Sequence, residues 1–507
     1  MAITGKVTRD ESQRLAQRHA HLTYVPFGGT EISVSQAGFG GYRVELGNGT
    51  HEQALRFALQ AGINLIDTSA NYTDGGSERL IGRVLAELFD GGELQRDEVV
   101  IVSKAGYLQG FNFALAEQRK QQGRPFPNLV KYAEGLDHCI HPEFIADQLT
   151  RTLERLNLET LDGYLLHNPE YYLMWAKRAH ISREEARQEY YRRIRQAFEH
   201  LEEEVRDGRI QFYGVSSNTF PESAGHYTFT SLSKLWQIAQ EISSNHHFRI
   251  IQLPMNLFET GAATEFNQPD RQSVLQVAHQ HQLAVMVNRP LNAFRDNTLT
   301  RLAHIPMPNY PAPPEDVSTG VDSLVKQEKD FQARFLPELR IDTESKEVLR
   351  EYLAIGMMLD GRWAGFGTHQ NWLDLRSQFI LPRTQMAVEF LSNLEFLPAD
   401  GRDWLDEYVE SANITLAAIT AYYQEQAAKQ SAQIWQAATK ADPEWAAATL
   451  SQTAMRALRS TEGITTVLVG MRHQEYVQDV LADLQHPIEQ KPRLQNWQQL
   501  HQHFTAH

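Results

Sequence analysis

The sequence predicts an α/β fold, a closed (β/α)8 TIM barrel carrying an N-terminal β-hairpin and a large, mainly helical insertion. Three observations predict it. Short β-branched runs alternate with stretches whose apolar residues fall three and four apart, the signature of repeated βα units. Eight such units occur, the number that closes a parallel sheet on itself. No G-x-G-x-x-G follows the first strand, as an open doubly wound sheet would announce.

Taken in order, residues 24–35 read as the hairpin, with Gly28-Gly29 at its turn. Barrel strands are expected at 34–40, 63–67, 98–104, 162–167, 210–216, 249–253, 283–288 and 465–469. Helices are expected at 51–61, 77–89, 142–156, 183–207, 232–242, 271–281 and 474–484. The 507 residues exceed the roughly 250 of a bare barrel. The surplus falls at 106–141, after His167, and between Leu291 and about Asp442. This last stretch opens with Pro306, Pro308, Pro311, Pro313 and Pro314, which forbid continuous helix there. Helical patterns follow at 346–359, 385–397 and 403–440. In the last, Leu405, Tyr408, Ala412, Leu416, Ile419 and Tyr423 share one face. That face is expected to pack on the barrel, with a lid function or a protein partner bound through the insertion as the alternative. The domain organisation is therefore barrel at 22–299, helical insertion at 300–443, and the rest of the barrel at 444–490.

Composition narrows the function. A net charge of −15 argues against nucleic acid, whose phosphates select basic surface. No apolar run approaches the ~18 residues of a membrane span, and the opening MAITGKVTRDESQRLAQRHA lacks an apolar signal region. A cytoplasmic location is expected. The single cysteine, Cys139, excludes a disulfide framework and a four-thiolate metal site. His138-Cys139-Ile140-His141 and the terminal His501, His503 and His507 offer no complete ligand set, so no metal is expected.

Chemistry in such a barrel sits at the C-terminal ends of the strands, and polar residues recur there. The second strand ends in Asp67, with Tyr72 five residues on in DTSANYTDGGSERLIG. The third ends in Lys104, the fourth in His167, the fifth in Ser216-Ser217-Asn218. Gln252 ends the sixth, and Gly470 follows the eighth. Singly, each has an ordinary reading: an aspartate caps turns and a lysine snorkels. Asp74 and Glu78 read as a loop charge and a helix N-terminal charge. Together, one anion, one cation, one phenol and one imidazole suit carbonyl reduction. A phenol of pKa ~10 is expected to be brought lower by a nearby ammonium. Asp67 would hold Lys104, and His167 would orient the carbonyl. The hydride must come from a nicotinamide cofactor.

The stretches YVPFGGTEISVSQAGFGGY, AGINLIDTSANYTDGGSERLIGRVL, VSKAGY, LDGYLLHNPE, DGRIQFYGVSSN and TEGITTVLVGMRHQEYVQDVL together resemble the aldo-keto reductase superfamily over residues 22–295 and 444–485. The resemblance implies an NADP-dependent reductase of a small-molecule aldehyde or ketone. NADPH is the implied cofactor, with NAD the lesser expectation. It implies a catalytic tetrad of Asp67, Tyr72, Lys104 and His167. It places the cofactor against Gly41, Tyr42, Asp67, Ser216, Ser217, Asn218, Gln252, Asn288, Arg289, Pro290, Leu291, Gly470, Met471, Arg472 and Tyr476. The chain departs from the family pattern at Asn288, where an aromatic residue often stacks on the nicotinamide, and at Tyr476 and Val480, near the adenosine end. Arg472 is the cation best placed for a 2′-phosphate. The reverse reaction on a sugar or polyol, and a regulatory subunit that binds nicotinamide without catalysis, are the alternatives.

Overall fold

The structure, a computed structural model, describes residues 2–295, 298–394, 397 and 399–505. The chain divides into two compact units, Met1–Ala303 with Trp435–His507, and His304–Ile434.

In the first unit β1 (Tyr24–Pro26) and β2 (Ser33–Ser35) form the antiparallel hairpin, Tyr24 opposite Ser35. The barrel strands are β3 (Ala37–Gly40), β4 (Leu65–Asp67), β5 (Val100–Ala105), β9 (Leu161–His167), β10 (Ile210–Ser216), β11 (Phe248–Pro254), β12 (Ala284–Asn288) and β15 (Thr466–Val469). They close in that order, β15 pairing with β3, every ladder parallel. Helices bury the outer face, so the strands read as apolar runs without alternation. Leu65, Val100, Val102, Leu165, Ile250, Ala284, Met286 and Leu468 fill the interior, joined by Phe27, Ile32 and Val34 of the hairpin. The Gly29 N–H donates to the Gln282 carbonyl at 2.8 Å, ahead of β12. The hairpin therefore plugs the N-terminal end and leaves the other end open for chemistry.

Some expected boundaries shift for local reasons. The first barrel strand begins at Ala37 rather than 34, because Ser33–Ser35 is spent on the hairpin. The helix expected from 271 begins at Val274, where Ser273 and Gln276 form a capping box. The surplus at 106–141 is no bare connection. It holds β6 (Tyr107–Leu108), a helix Gly110–Gln121, β7 (Val130–Ala133) and β8 (Leu136–His138), sheet order β6-β8-β7. A second hairpin, β13 (Asn292–Arg295) with β14 (Thr298–Arg301), precedes the proline-rich stretch. The histidine-bearing C-terminal segment is a helix, Leu494–Thr505, that buries Trp497 and Leu500.

The second unit has its own core. Pro314 opens the helix Pro314–Asp330 at the one helical position where proline costs nothing. The helix expected at 346–359 is two, Thr343–Tyr352 and Ile355–Leu359. The one expected at 385–397 is Leu381–Ser392, and residues 395–396 lie outside those described. The long helix Ala399–Ala441 does turn Leu405, Tyr408, Ala412, Leu416, Ile419 and Tyr423 inward. They pack on Val321, Leu324, Phe331 and Trp372 of this same unit rather than on the barrel. Trp404 lies between Phe331 and Tyr408, with ring centroids 4.7 and 5.0 Å away.

Candidate active site

Parallel register decides which side chains meet at the open end. Asp67 pairs with Val102, so Lys104 stands two residues further along β5, on the same face. Ser216 lies beside both His167 and Gln252. Lys104 has no exposed surface and Asp67 is 4% exposed. The lysine Nζ donates to Asp67 Oδ1 at 2.7 Å and to the Thr68 carbonyl at 2.7 Å. Gln252 Nε2 donates to the same carboxylate oxygen at 2.8 Å, and Ser216 Oγ donates back to Gln252 Oε1 at 2.9 Å. Burial raises the carboxyl of Asp67 and lowers the ammonium of Lys104, and the attraction between the two opposes both effects.

Tyr72 opens a tight turn in which Thr73, Asp74 and Gly75 all take positive φ, 46°, 54° and 80°. Asp74 pins this turn by accepting the Phe111 N–H at 3.0 Å. Lys104 Nζ lies 5.0 Å from the Tyr72 ring centroid. The expectation that this ammonium brings the phenol below its usual range is overturned. Burial pushes Tyr72 well up, the Asp67 charge adds to it, and the Lys104 charge is already committed to Asp67 and Thr68.

The His167 ring also neighbours Tyr72, with ring centroids 6.0 Å apart. Its Nδ1 lies 3.0 Å from Ser69 Oγ, and its carbonyl is 2.7 Å from His138 Nε2. Burial, then Lys104 and His138, lowers it far below 6.5, so the imidazole is neutral at neutral pH. Tyr107 stands edge-on to it at 4.7 Å, and its oxygen accepts from Asn168 Nδ2 at 2.6 Å. Gly106 permits this closeness, because a Cβ there would lie 2.3 Å from the His167 oxygen.

The residues expected around a cofactor divide into two groups. Gly41 is fixed by packing, since a Cβ would meet Ser77 Oγ at 2.7 Å and the Asp67 oxygen at 2.9 Å. Ser217 Oγ lies within 3.2 Å of the hydroxyls of Thr219 and Thr230, and the Asn218 N–H donates to Glu170 Oε1 at 2.8 Å. Arg289 pairs with Glu259 at 2.7 Å, Pro290 is buried, and the Leu291 carbonyl accepts from Leu302 at the base of the second hairpin. The Met471 side chain has no exposure, leaving only its main chain for a ligand, and Val480 is buried too. Other groups stay available. Tyr42 is 61% exposed with its ring 5.3 Å from that of Tyr72. Asn288 Oδ1 is buried without a hydrogen-bond partner among the described residues. Gly470 is exposed, with open space where a Cβ would stand, and Tyr476 is half exposed beside His473. Arg472 makes no ion pair among the described residues. Burial lowers its guanidinium, and the charges of Arg43 and Arg301 act on it in the same direction.

Glu78 does stand in the first turn of the helix Gly76–Asp90, and it is fully buried there, accepting from Ser103, Thr152 and Arg155. His138 is spent on the His167 carbonyl, His141 caps the helix Pro142–Leu156, and His501 Nδ1 lies 3.3 Å from Thr260 Oγ1. His507 lies outside the described residues.

With this geometry in place, the sequence profile of the Aldo/keto reductase family matches residues 38–301, more than half of the chain. The chain belongs to that family. A curated relative, the NADH-specific methylglyoxal reductase of Escherichia coli, is 29% identical over 151 residues, 28% of this chain and 41% of the relative. A putative voltage-gated potassium channel subunit beta of Schizosaccharomyces pombe is 25% identical over 253 residues, 47% of this chain and 60% of the relative. The chain thus spans less than two thirds of either. Among solved structures, a glycerol dehydrogenase from Gluconobacter oxydans aligns over 96% of both chains at 15% identity, with a TM-score of 0.45. Within this aldo/keto reductase, sequence reasoning missed Ser69, Asn71, Gln109, Arg43 and Arg301 as neighbours of the site. Ser69 carried the one usable signal, since it lies two residues beyond Asp67.

Proposed function

We propose that the chain is an NAD(P)H-dependent oxidoreductase that reduces an aldehyde or ketone to an alcohol. The observation that carries this reading is the Lys104 ammonium, held 2.7 Å from Asp67 and 5.0 Å from the Tyr72 ring, with the neutral His167 ring 6.0 Å from that of Tyr72. A bound dihydronicotinamide supplies the hydride. Tyr72 gives its hydroxyl proton to the carbonyl oxygen as charge develops there. Lys104 stabilises the phenolate left behind, and Asp67 keeps the ammonium in place. A neutral imidazole with its proton on Nε2 donates a hydrogen bond to the carbonyl oxygen. A phenol raised in pKa is a proton donor across neutral pH, which favours reduction over the oxidation of a sugar or polyol.

The residues present fit a dinucleotide. Asn288 Oδ1, without a hydrogen-bond partner among the described residues, and the open space at Gly470 leave room and an acceptor. Arg43, Arg301 and Arg472 gather positive charge beside His51 and His473; the Glu45 carboxylate also acts on this group but makes no ion pair with Arg472 among the described residues. That arrangement suits a phosphate and supports NADPH over NADH. A binding-only role requires no buried ammonium beside a phenol.

The test is consumption of NADPH and of NADH against a panel of carbonyl compounds. Losing one charge-assisted phosphate contact in Arg472→Met should raise KM for NADPH about tenfold or more and leave NADH unchanged. No turnover with either cofactor would contradict the reductase reading. An equal effect on both would contradict the assignment of Arg472 to a 2′-phosphate.

A further inference from the structure

Ser69 is buried, and its Oγ meets three polar groups: His167 Nδ1 at 3.0 Å, Asn71 Oδ1 at 2.7 Å and the Lys104 carbonyl at 3.2 Å. Asn71 in turn is joined to Gln109, Nδ2 to Oε1 at 3.2 Å. Gln109 precedes the helix Gly110–Gln121, in the segment that also carries Tyr107. A hydrogen-bonded chain therefore runs from this inserted layer to the imidazole.

A neutral imidazole carries one N–H, and whatever bonds to one ring nitrogen sets the state of the other. A carbonyl oxygen only accepts hydrogen bonds, so the tautomer that binds it has its proton on Nε2. That leaves Nδ1 bare and in need of a donor. Among the described residues the Ser69 hydroxyl is the side-chain group within hydrogen-bond distance of Nδ1. A hydroxyl has one proton. Ser69 can spend it on Nδ1, at 3.0 Å, only if the longer 3.2 Å contact to the Lys104 carbonyl goes without it and Asn71 presents its NH2 end rather than its oxygen. Gln109 then satisfies the Asn71 oxygen with its own NH2. A half-turn of both carboxamides exchanges their ends while leaving the heavy atoms close to where they stand.

We infer that Ser69, oriented by Asn71 and Gln109, is a positioning residue that fixes His167 as the Nε2–H tautomer. This inference rests on the reading of His167 as the carbonyl-binding group, but its test does not. With both carboxamides turned, the chain runs Gln109→Asn71→Ser69→His167, every donor facing the site; unturned, Ser69 donates to Asn71 Oδ1 and Asn71 Nδ2 to Gln109 Oε1. It ties the inserted β6–β8 layer to the chemistry through proton placement, separately from the layer's contact with the His167 carbonyl.

The experiment is 15N NMR of the histidine side chains in the full-length protein, with His167 assigned by its loss in His167→Asn. Wild type should show His167 protonated on Nε2 alone. Ser69→Ala should give a mixture of tautomers, and Ser69→Thr, which keeps the hydroxyl, should restore the wild-type signal. Asn71→Asp can only accept, so it should draw the Ser69 proton away and move the His167 proton to Nδ1. Where turnover is measurable, Ser69→Ala should lower kcat about tenfold or more with cofactor KM unchanged. A wild-type proton on Nδ1, or an unmixed Nε2–H tautomer in Ser69→Ala and Asn71→Asp, overturns the inference. Absence of turnover in wild type would instead overturn the reductase reading, and the tautomer signals would still decide this one.

Discussion

Lys104 stands with no exposed surface between a carboxylate and a phenol, and the properties of Tyr72 follow from how that one charge is shared. Asp67 and the Thr68 carbonyl take most of it, so burial governs the phenol and keeps its proton on at neutral pH. The sign follows directly. A donor whose pKa lies above 10 is fully protonated from pH 6 to 9, so the chemical step of carbonyl reduction should be flat over that range. Alcohol oxidation needs the phenolate, and its rate should climb about tenfold per pH unit over the same range. Pre-steady-state rates measured in both directions check this, and a reductive rate that falls across pH 7–9 would contradict it. Asp67, Lys104, His167 and Gln252 were legible in the sequence, because strand parity and the rule that chemistry sits at strand C-termini fix them without long-range information. The raised pKa of Tyr72 was not legible. Its sign depends on burial, and burial is a property of the assembled mouth.

The inserted layer of β6, β7 and β8 shapes the site at the level of elements. It brings His138 to the His167 carbonyl and Tyr107 to the face of the imidazole. The approach depends on Gly106, where a side chain would also meet His138 Nε2 at 2.7 Å. Gly106→Ala should therefore push the layer away and break the His138 contact. The expected result is a loss of roughly 1–3 kcal/mol in stability, as for overpacking, with reduced kcat and little change in cofactor affinity. Urea unfolding and NADPH titration check the two halves, and unchanged turnover would contradict this role. The barrel helices and strands were readable from periodicity to within a few residues. The layer was not, because short strands such as Tyr107–Leu108 carry too few residues for a pattern. The second hairpin was hidden likewise, since β13 and β14 are four residues each.

For the whole molecule, the two units rest on separate cores, and the helical one contains a titration of its own. Glu328 is fully buried and accepts the N–H groups of Gly356 and Met357 and the Tyr408 hydroxyl, yet burial pushes its carboxyl up to about 7. A raised carboxyl favours the folded state when protonated. Its stabilisation is therefore complete below about pH 4.5 and is lost as pH rises through about 7. Relative to Glu328→Gln, the wild-type unit should lose up to ~3 kcal/mol across that window, measured by chemical denaturation at a series of pH values. A constant difference would contradict it. The long-helix face from Leu405 to Tyr423 was visible in the sequence, but its partner was not, since periodicity marks a buried face without naming what buries it. On the proposed reading, Tyr72 delivers a proton beside Lys104. The most direct test is single-turnover oxidation of bound NADPH by a carbonyl substrate in wild type and Tyr72→Phe. Tyr72→Phe should bind cofactor unchanged and react ~10²–10⁴-fold more slowly; equal rates in the two proteins would contradict proton delivery by Tyr72.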